Sequence, residues 1–174
     1  MIDNSPTNNS SCQTRKRHNG ERLKQIQRQL GDIDQTILTL IKADPDLARR
    51  LDILTSIPSL SQATACALII DMPELGTLEP PQAASLAGLA PVARQSGTWT
   101  GRAFIRGGRS NVRQALYMPA LVAMRFNPDL KAKYQALKAA GKPAKVAITA
   151  LMRKLIILAN ALLKAQRKWT PKPT

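Results

Sequence analysis

The chain has few of the residues that build disulfide frameworks, metal sites or aromatic cores. Its 174 residues include two Cys, one His, two Trp, two Tyr and two Phe. Cys12 lies in a polar segment and Cys66 in an apolar one, and neither has a partner at metal-ligand spacing. We therefore expect no disulfide framework and no metal site in this chain. The apolar content of 44% is enough for a core, which must be mostly aliphatic.

Acidic residues are nearly absent from the second half of the chain. Residues 1–90 carry nine of the 26 Lys and Arg and ten of the 11 Asp and Glu, which leaves 17 basic residues and only Asp129 for residues 91–174. A segment with a net charge of +16 repels itself unless a polyanion neutralises it, so nucleic acid is the favoured partner. The alternative is a solvated basic surface that maintains solubility.

Long hydrophobic runs are also lacking. The most apolar stretch, LIILANALL, contains Asn160 and is flanked by Lys154 and Lys164, and the N-terminus has no apolar signal core. A membrane span needs about 20 apolar residues. The sequence therefore predicts no membrane association and a cytoplasmic location.

The spacing of the apolar residues predicts a mostly helical, all-α fold. Residues 1–20 are rich in Asn, Ser and Thr and are expected to be disordered. Residues 21–55 are expected to form a helical stalk, residues 56–166 the main domain and residues 167–174 a loose tail. The stalk carries a heptad stripe that fits either packing on its own domain or an intermolecular coiled coil. The stripe consists of Leu23, Ile26, Leu30, Ile33, Ile37 and Leu40.

The stretch IPSLSQATA has the spacing of a helix-hairpin-helix element. In that motif two glycines form the turn, and backbone N–H groups at the start of the second helix contact a DNA phosphate. Here both glycine positions hold serines, Ser59 and Ser61. Because residues other than Gly adopt positive φ at a cost, we expect a weak phosphate contact, and a purely structural hairpin is the alternative.

The segment from Val92 to Arg106 combines turn glycines with strand-forming residues and predicts one small β-hairpin. It contains Ser96 among arginines whose guanidinium groups match phosphate oxygens. A serine attacks a phosphodiester only when a base or a metal activates it, and the local sequence supplies neither. Ser96 is thus either a turn residue or a nucleophile activated from elsewhere. The candidate DNA-binding residues are Arg94, Arg102, Arg106, Arg109 and Arg113.

The chain resembles the C-terminal domain of the IS110/IS116/IS902 family of bacterial transposases. The resemblance covers residues 21–165 and combines several short motifs in the same order and spacing. They are Leu89-Ala90-Pro91, Gln95-Ser96-Gly97, Gly101-Arg102, Arg113-Gln114-Ala115-Leu116, Asn127-Pro128 and Gly141-Lys142-Pro143. The resemblance implies a DNA recombinase that works with a structured guide RNA.

By this resemblance, Ser96 is the catalytic serine that becomes covalently joined to DNA. The family pairs this domain with an acidic, RuvC-like domain that binds metal, and the 20 polar residues before the stalk contain only one acid, Asp3. We therefore expect a truncated copy that binds no cofactor itself, with Mg²⁺ required only together with the acidic domain.

Two functions follow as expectations. The first is DNA binding and serine-dependent strand transfer in transposition, inactive in this chain alone. The alternative is a nucleic-acid-binding module that regulates an intact transposase without catalysis, through homo-oligomers or mixed oligomers of the heptad stripe.

Overall fold

The computed structural model describes residues 7–93, 95–96, 98–101 and 103–171, with side chains given for these except 7–12, 14, 95–96 and 99–100. The mostly helical, all-α fold is confirmed. The chain divides into two compact units, residues 1–40 and 41–174. The elements in order are α1 (Thr7–Ala43), α2 (Pro45–Thr55), α3 (Gln62–Asp71), α4 (Pro80–Leu86), β1 (Pro91–Val92), β2 (Gln95–Ser96), β3 (Trp99–Thr100), β4 (Phe104–Ile105), α5 (Ser110–Phe126), α6 (Pro128–Ala139) and α7 (Ala144–Lys164).

The first unit consists of most of helix α1. This helix already begins at Thr7, so the structure differs from the expectation that residues 1–20 are disordered. The difference has a local cause: Arg15, Lys16 and Arg17 are helix-favouring residues, and Arg17 pairs with Glu21 one turn later at 3.5 Å. Four residues of the heptad stripe, Leu23, Ile26, Leu30 and Ile33, are 42–57% exposed.

The second unit includes helix α2, which the sequence had assigned to the stalk. Asp44 caps this helix, since its Oδ1 accepts hydrogen bonds from the N–H groups of Asp46 (2.8 Å) and Leu47 (3.1 Å), with Pro45 in the first turn. Helix α2 packs against α3 and α7. The compact domain therefore begins at Ile41 rather than at residue 56.

Helix α7 is the centre of the second unit. It packs against α2, α4, α5 and α6, while α3 packs against α2 and α5. The core is aliphatic as expected, with Leu151, Leu155, Ile156 and Leu162 almost completely buried. By length and composition α7 could cross a membrane, but 56% of its most apolar stretch is buried in the protein, as in the core helix of a helical bundle.

Asn160 is a buried polar residue in this apolar helix. Its Oδ1 accepts a hydrogen bond from the Gly76 N–H at 2.8 Å, and its Nδ2 donates to the Leu78 carbonyl at 2.7 Å. Gly76 has φ of +102°, and a Cβ there would lie 2.9 Å from the Cβ of Leu163. Asn160 thus holds the loop between α3 and α4 against the core helix by satisfying its backbone groups.

Two further caps agree with the sequence and one does not. Ser61 accepts from the Thr64 N–H, and Asn127 accepts from the Leu130 N–H. Ser110 and Asn111 are residues that favour the N-cap position of α5, but the N-cap is Arg109, which makes no capping hydrogen bond. The backbone of Arg109 is extended and the helix begins at Ser110. Ser110 therefore lies in the first turn and not at the N-cap position.

The C-terminal segment is held in place, which corrects the expectation of a loose tail for the described residues 167–171. Lys168 pairs with Asp52 at 2.8 Å, and the Trp169 N–H donates to Ser56 Oγ at 2.8 Å. The partners lie on and just after α2, 113 residues earlier for the Trp169 bond. Local sequence could not indicate this docking because both contacts are long-range.

The turn between α2 and α3 keeps the glycine-type conformation with a serine. The Leu60 N–H donates to the Ile57 carbonyl at 3.1 Å, and Ser59 has φ of +87°. With Pro58 at the second position, this is the pattern of a type II turn, which favours Gly at the third position. The Ser59 hydroxyl is buried without a hydrogen-bond partner among the residues that the structure describes.

Replacing Ser59 by glycine should stabilise the protein. Ser59→Gly removes the left-handed strain of a residue with a Cβ and an unsatisfied buried hydroxyl, so we expect a gain of about 1 kcal/mol in the free energy of unfolding. The matched control, Ser61→Ala, loses the α3 cap and should cost about 1 kcal/mol. Urea denaturation of both variants measures the two effects, and a loss of stability in Ser59→Gly would contradict this account.

Candidate nucleic-acid interface

The four short strands form one interrupted ribbon between α4 and α5. The pair β1–β4 is antiparallel, with Pro91 opposite Ile105 and Val92 opposite Phe104. The pair β2–β3 is also antiparallel and pairs Ser96 with Trp99. The register of the second pair differs by one residue from that of the first. The predicted hairpin is therefore present in two short pieces, and β2 and β3 lie farther along it than β1 and β4.

Ser96 is the last residue of β2 and pairs with Trp99, the first residue of β3. Two residues separate them in the sequence. The backbone pairing thus puts the candidate nucleophile at the distal end of the ribbon. The side chains of Ser96 and Trp99, and the residues Arg94, Gly97 and Arg102, lie outside the described part of the chain. Their proposed chemical roles stay predictions.

The base of the ribbon is fixed by close contact between two glycine segments. Gly88 follows α4 with φ of +66°, and Gly107 and Gly108 follow β4 with φ of +71° and +64°. A Cβ on Gly108 would overlap the backbone N and Cα atoms of Gly88. The adjoining Arg109 N–H donates to the Leu86 carbonyl at 2.7 Å. Both glycines are needed here because the two backbones touch and because φ is positive.

Arg109 is occupied by an internal ion pair. Its Nη1 and Nη2 donate to the two carboxylate oxygens of Glu74 at 2.9 and 2.5 Å, and Nη1 also donates to the Asp71 carbonyl at 2.7 Å. The side chains are 40% and 30% exposed. This bidentate geometry ties the start of α5 to the end of α3 and the loop after it.

The ion pair shifts both titrating groups in the stabilising direction. The side-chain hydrogen bond from Arg109 is the main cause that lowers the pKa of the Glu74 carboxyl, and the same bond raises the pKa of Arg109. Because the folded-state pKa of Glu74 is lowered, the pair contributes stability above the ordinary glutamate range. That contribution is lost as the pH falls through the lowered value.

The other described arginines differ in their availability. Arg113 donates from Nη1 to the Gly107 carbonyl at 2.9 Å, so it also supports the glycine segment. Arg106 is exposed and makes no side-chain hydrogen bond within the described part of the chain. Of the five candidate arginines, the structure thus places Arg109 and Arg113 at the ribbon's base and leaves Arg106 open to a ligand.

A shallow cleft of about 520 Å³ lies beside the ribbon's base. It is lined by Ile70 and Pro73 on one side and by residues 108–111 on the other. The first turn of α5 borders this cleft, and its N-cap residue Arg109 makes no side-chain capping hydrogen bond. Ser59 and Ser61 lie in the turn between α2 and α3, where the Ser61 hydroxyl caps α3 and the Ser59 hydroxyl is buried, and the weak phosphate contact of this turn stays a prediction.

Sequence reasoning missed the residues that position this site. Neither Glu74 nor Gly88 stands out in the sequence as a residue that positions a site. The adjacent pair Gly107-Gly108 was a readable signal of special backbone conformation, but its contact with Gly88 was not. Among the residues that the structure describes, no three His, Cys, Asp or Glu side chains come together as a metal-binding group.

The family model and the relatives that match this chain agree on one family. Residues 51–135 match the model of the transposase IS116/IS110/IS902 family. The pilin gene-inverting protein of Moraxella bovis is 31% identical over 139 residues, which are 78% of this chain and 43% of that protein. An insertion element IS110 protein of Streptomyces coelicolor is 31% identical over 145 residues, 82% of this chain and 35% of that protein. The chain thus spans less than half the length of these relatives.

The segment that matches this transposase model carries the ribbon and most of the helices of the second unit. The chain belongs to the IS116/IS110/IS902 family of transposases. The matched residues run from α2 into α6, so they include the turn between α2 and α3, the ribbon with Ser96 and the whole of α5.

The glycine contact gives a test of how the ribbon is anchored. Gly107→Ala and Gly108→Ala both place a Cβ at positive φ, but the space around Gly107 is open and that around Gly108 is filled by Gly88. We expect Gly107→Ala to cost about 1–2 kcal/mol of unfolding free energy from backbone strain. Gly108→Ala should cost about 2 kcal/mol more from overpacking.

Thermal and urea unfolding of the two variants provide the measurement. Equal destabilisation would show that the Gly88 contact does not fix the ribbon's base. The two substitutions match in chemistry and in the sign of φ, so the difference between them reports the contact alone.

Proposed function

We propose that this chain is the DNA-contacting, serine-bearing part of an IS110-type transposase and acts in the cytoplasm on DNA. The observation that carries the proposal is the position of Ser96 at the distal end of a ribbon whose base is locked to the helical unit. A rigid base and a projecting end suit a residue that must reach a phosphodiester while the domain stays on the DNA.

Support for DNA as the substrate comes from charge and from the relatives. The sequence from residue 91 onward carries 17 Lys and Arg against one acid. The Moraxella relatives are named for inverting a pilin gene, which is a rearrangement of DNA. In this proposal Arg106, Arg94 and Arg102 contact phosphates, while Arg109 and Arg113 position the ribbon through their internal hydrogen bonds.

The chemical step assigned to Ser96 is a transesterification. The Ser96 oxygen forms a bond to phosphorus, the existing ester bond to one sugar oxygen breaks, and the serine proton must pass to a base. The described residues supply no group of metal ligands, so we assign no step in this chain to Mg²⁺. We therefore assign the activation of Ser96 to the parts of a full-length transposase that this chain does not cover. In the family pattern those parts work with Mg²⁺ and a guide RNA.

Substitution of Ser96 tests this assignment. Alone, the chain should bind DNA and form no covalent adduct. With the unmatched portion of the Moraxella bovis relative supplied in trans, together with element DNA and RNA, a protein–DNA adduct stable to denaturing electrophoresis should appear. Ser96→Ala should abolish the adduct, with a loss of at least 10³-fold, and leave DNA affinity nearly unchanged.

The control is Ser85→Ala, an exposed serine on α4, which should retain the adduct. An adduct that persists undiminished in Ser96→Ala would return Ser96 to the role of a turn residue. Adduct formation by the chain alone would contradict the assignment of activation to another segment.

A second function is favoured by the exposed stripe on α1. Leu23, Ile26, Leu30 and Ile33 are large apolar side chains at heptad spacing that remain exposed in this chain. Pairing of α1 with a second chain or with an intact transposase would bury them, which would allow this chain to regulate the intact enzyme without catalysis.

Charge substitution in the stripe tests the pairing. Leu23→Asp with Leu30→Asp should convert an associating protein to a monomer in sedimentation experiments, because each buried leucine contributes about 1.5–3 kcal/mol. The matched control, Gln25→Asp with Gln35→Asp, places the same charges on other faces of α1 and should leave association intact. A parent chain that is monomeric at high concentration would exclude self-association.

A further inference from the structure

The helical hairpin formed by α6 and the start of α7 carries an exposed cluster of lysines. All five members are exposed, and Gly141, with φ of +72°, forms the turn between the two helices. The cluster, called here the lysine hairpin, consists of Lys131, Lys133, Lys138, Lys142 and Lys145.

The charges of the lysine hairpin are not neutralised within the described part of the chain. None of its five side chains has an ion pair or hydrogen bond there, and Asp129 is the only acid after residue 90. By contrast, Lys164 pairs with Glu79 and Lys168 pairs with Asp52. These seven lysines thus fall into two groups, two with internal acidic partners and five that await an external counter-charge.

Helix α6 is suited to present charge rather than to build the core. It buries only Leu130, with Tyr134 and Leu137 partly covered. Lys131 and Lys138 are seven residues apart, so they lie on the same face at a separation of about 10 Å along the helix. This matches about three phosphate steps along one strand of duplex DNA, which rises 3.4 Å per step.

The chemistry of the cluster selects among nucleic acids. Lysine is a flexible point charge without the planar fork of arginine, and the hairpin's one aromatic ring, Tyr134, is partly covered, so it offers a limited platform for stacking unpaired bases. Gln135 is its one amide, which leaves few acceptors for RNA 2′-hydroxyl groups. The arrangement fits the phosphate backbone of duplex DNA, read without sequence preference.

We propose that the lysine hairpin is a second DNA-docking surface, separate from the ribbon, that holds the backbone of a duplex. This inference rests on the proposed function in DNA rearrangement. It assigns the duplex to α6 and α7 and leaves the ribbon free to approach the reacting strand.

The test compares two double variants with equal change in net charge. Lys131→Gln with Lys138→Gln removes two charges from the lysine hairpin, and Lys164→Gln with Lys168→Gln removes two charges that already have acidic partners. Binding of the full chain to a random-sequence DNA duplex is measured across salt concentrations. The first variant should make the slope of log K against log salt shallower by about 1.8, since each lost phosphate contact contributes about 0.9.

The control variant should retain the parental slope, as should Lys131→Arg with Lys138→Arg, and circular dichroism verifies that each variant is folded. Equal loss in both glutamine variants, or stronger binding of the parent to single-stranded DNA or duplex RNA, would overturn the proposal. Failure of the parent chain to bind any DNA at low salt would instead overturn the proposed function, so the two failures are distinguishable.

Discussion

The contact between the Gly88 backbone and the segment Gly107-Gly108 is the constraint on which the candidate site depends. All three glycines have positive φ, and the two segments approach too closely for a Cβ on Gly108. The ribbon leaves the helical unit after α4 and returns to it before α5, so this contact closes the loop at its base. The hydrogen bond from Arg109 N–H to the Leu86 carbonyl and the ion pair with Glu74 then fix the direction in which α5 starts.

Acidic residues of the first half of the sequence neutralise part of the charge of the basic second half. Among the described residues, the ion pairs Arg109–Glu74, Lys164–Glu79 and Lys168–Asp52 each join a base from the second half to an acid from the first. The neutral first half therefore supplies counter-charges where the fold needs them. Surface ion pairs individually contribute little to the free energy of unfolding. Their main effect is therefore to decide which cationic side chains remain available to a polyanion.

The arginines around the ribbon differ in role: some position segments of the protein, and others are available to contact a ligand. Arg109 and Arg113 share a sequence neighbourhood with Arg106, yet their guanidinium groups bond to the protein itself. Arginine is suited to both roles because its planar fork matches carboxylate and phosphate equally well. The internal role is set by their partners, Glu74 and the Asp71 carbonyl for Arg109 and the Gly107 carbonyl for Arg113.

The sequence by itself determined the features that depend on interactions within one helical turn. The helical class followed from apolar spacing, and the starts of α2, α3 and α6 followed from Asp44, Ser61 and Asn127, since a cap bonds to groups two or three residues away. The order of short motifs also indicated the transposase family. The heptad pattern was readable, whereas its exposure in α1 became evident only from the structure.

Tertiary structure alone decided the features that join distant segments. These are the docking of Trp169 on Ser56, the glycine contact at the ribbon's base and the acidic partner of Arg109. It also showed that Ser59 adopts a conformation that residue preferences disfavour, because the packed helices α2 and α3 impose the turn between them. The physical reason is common to all four. Each depends on which backbones the packed core brings together, and local residue preferences carry no information about that pairing.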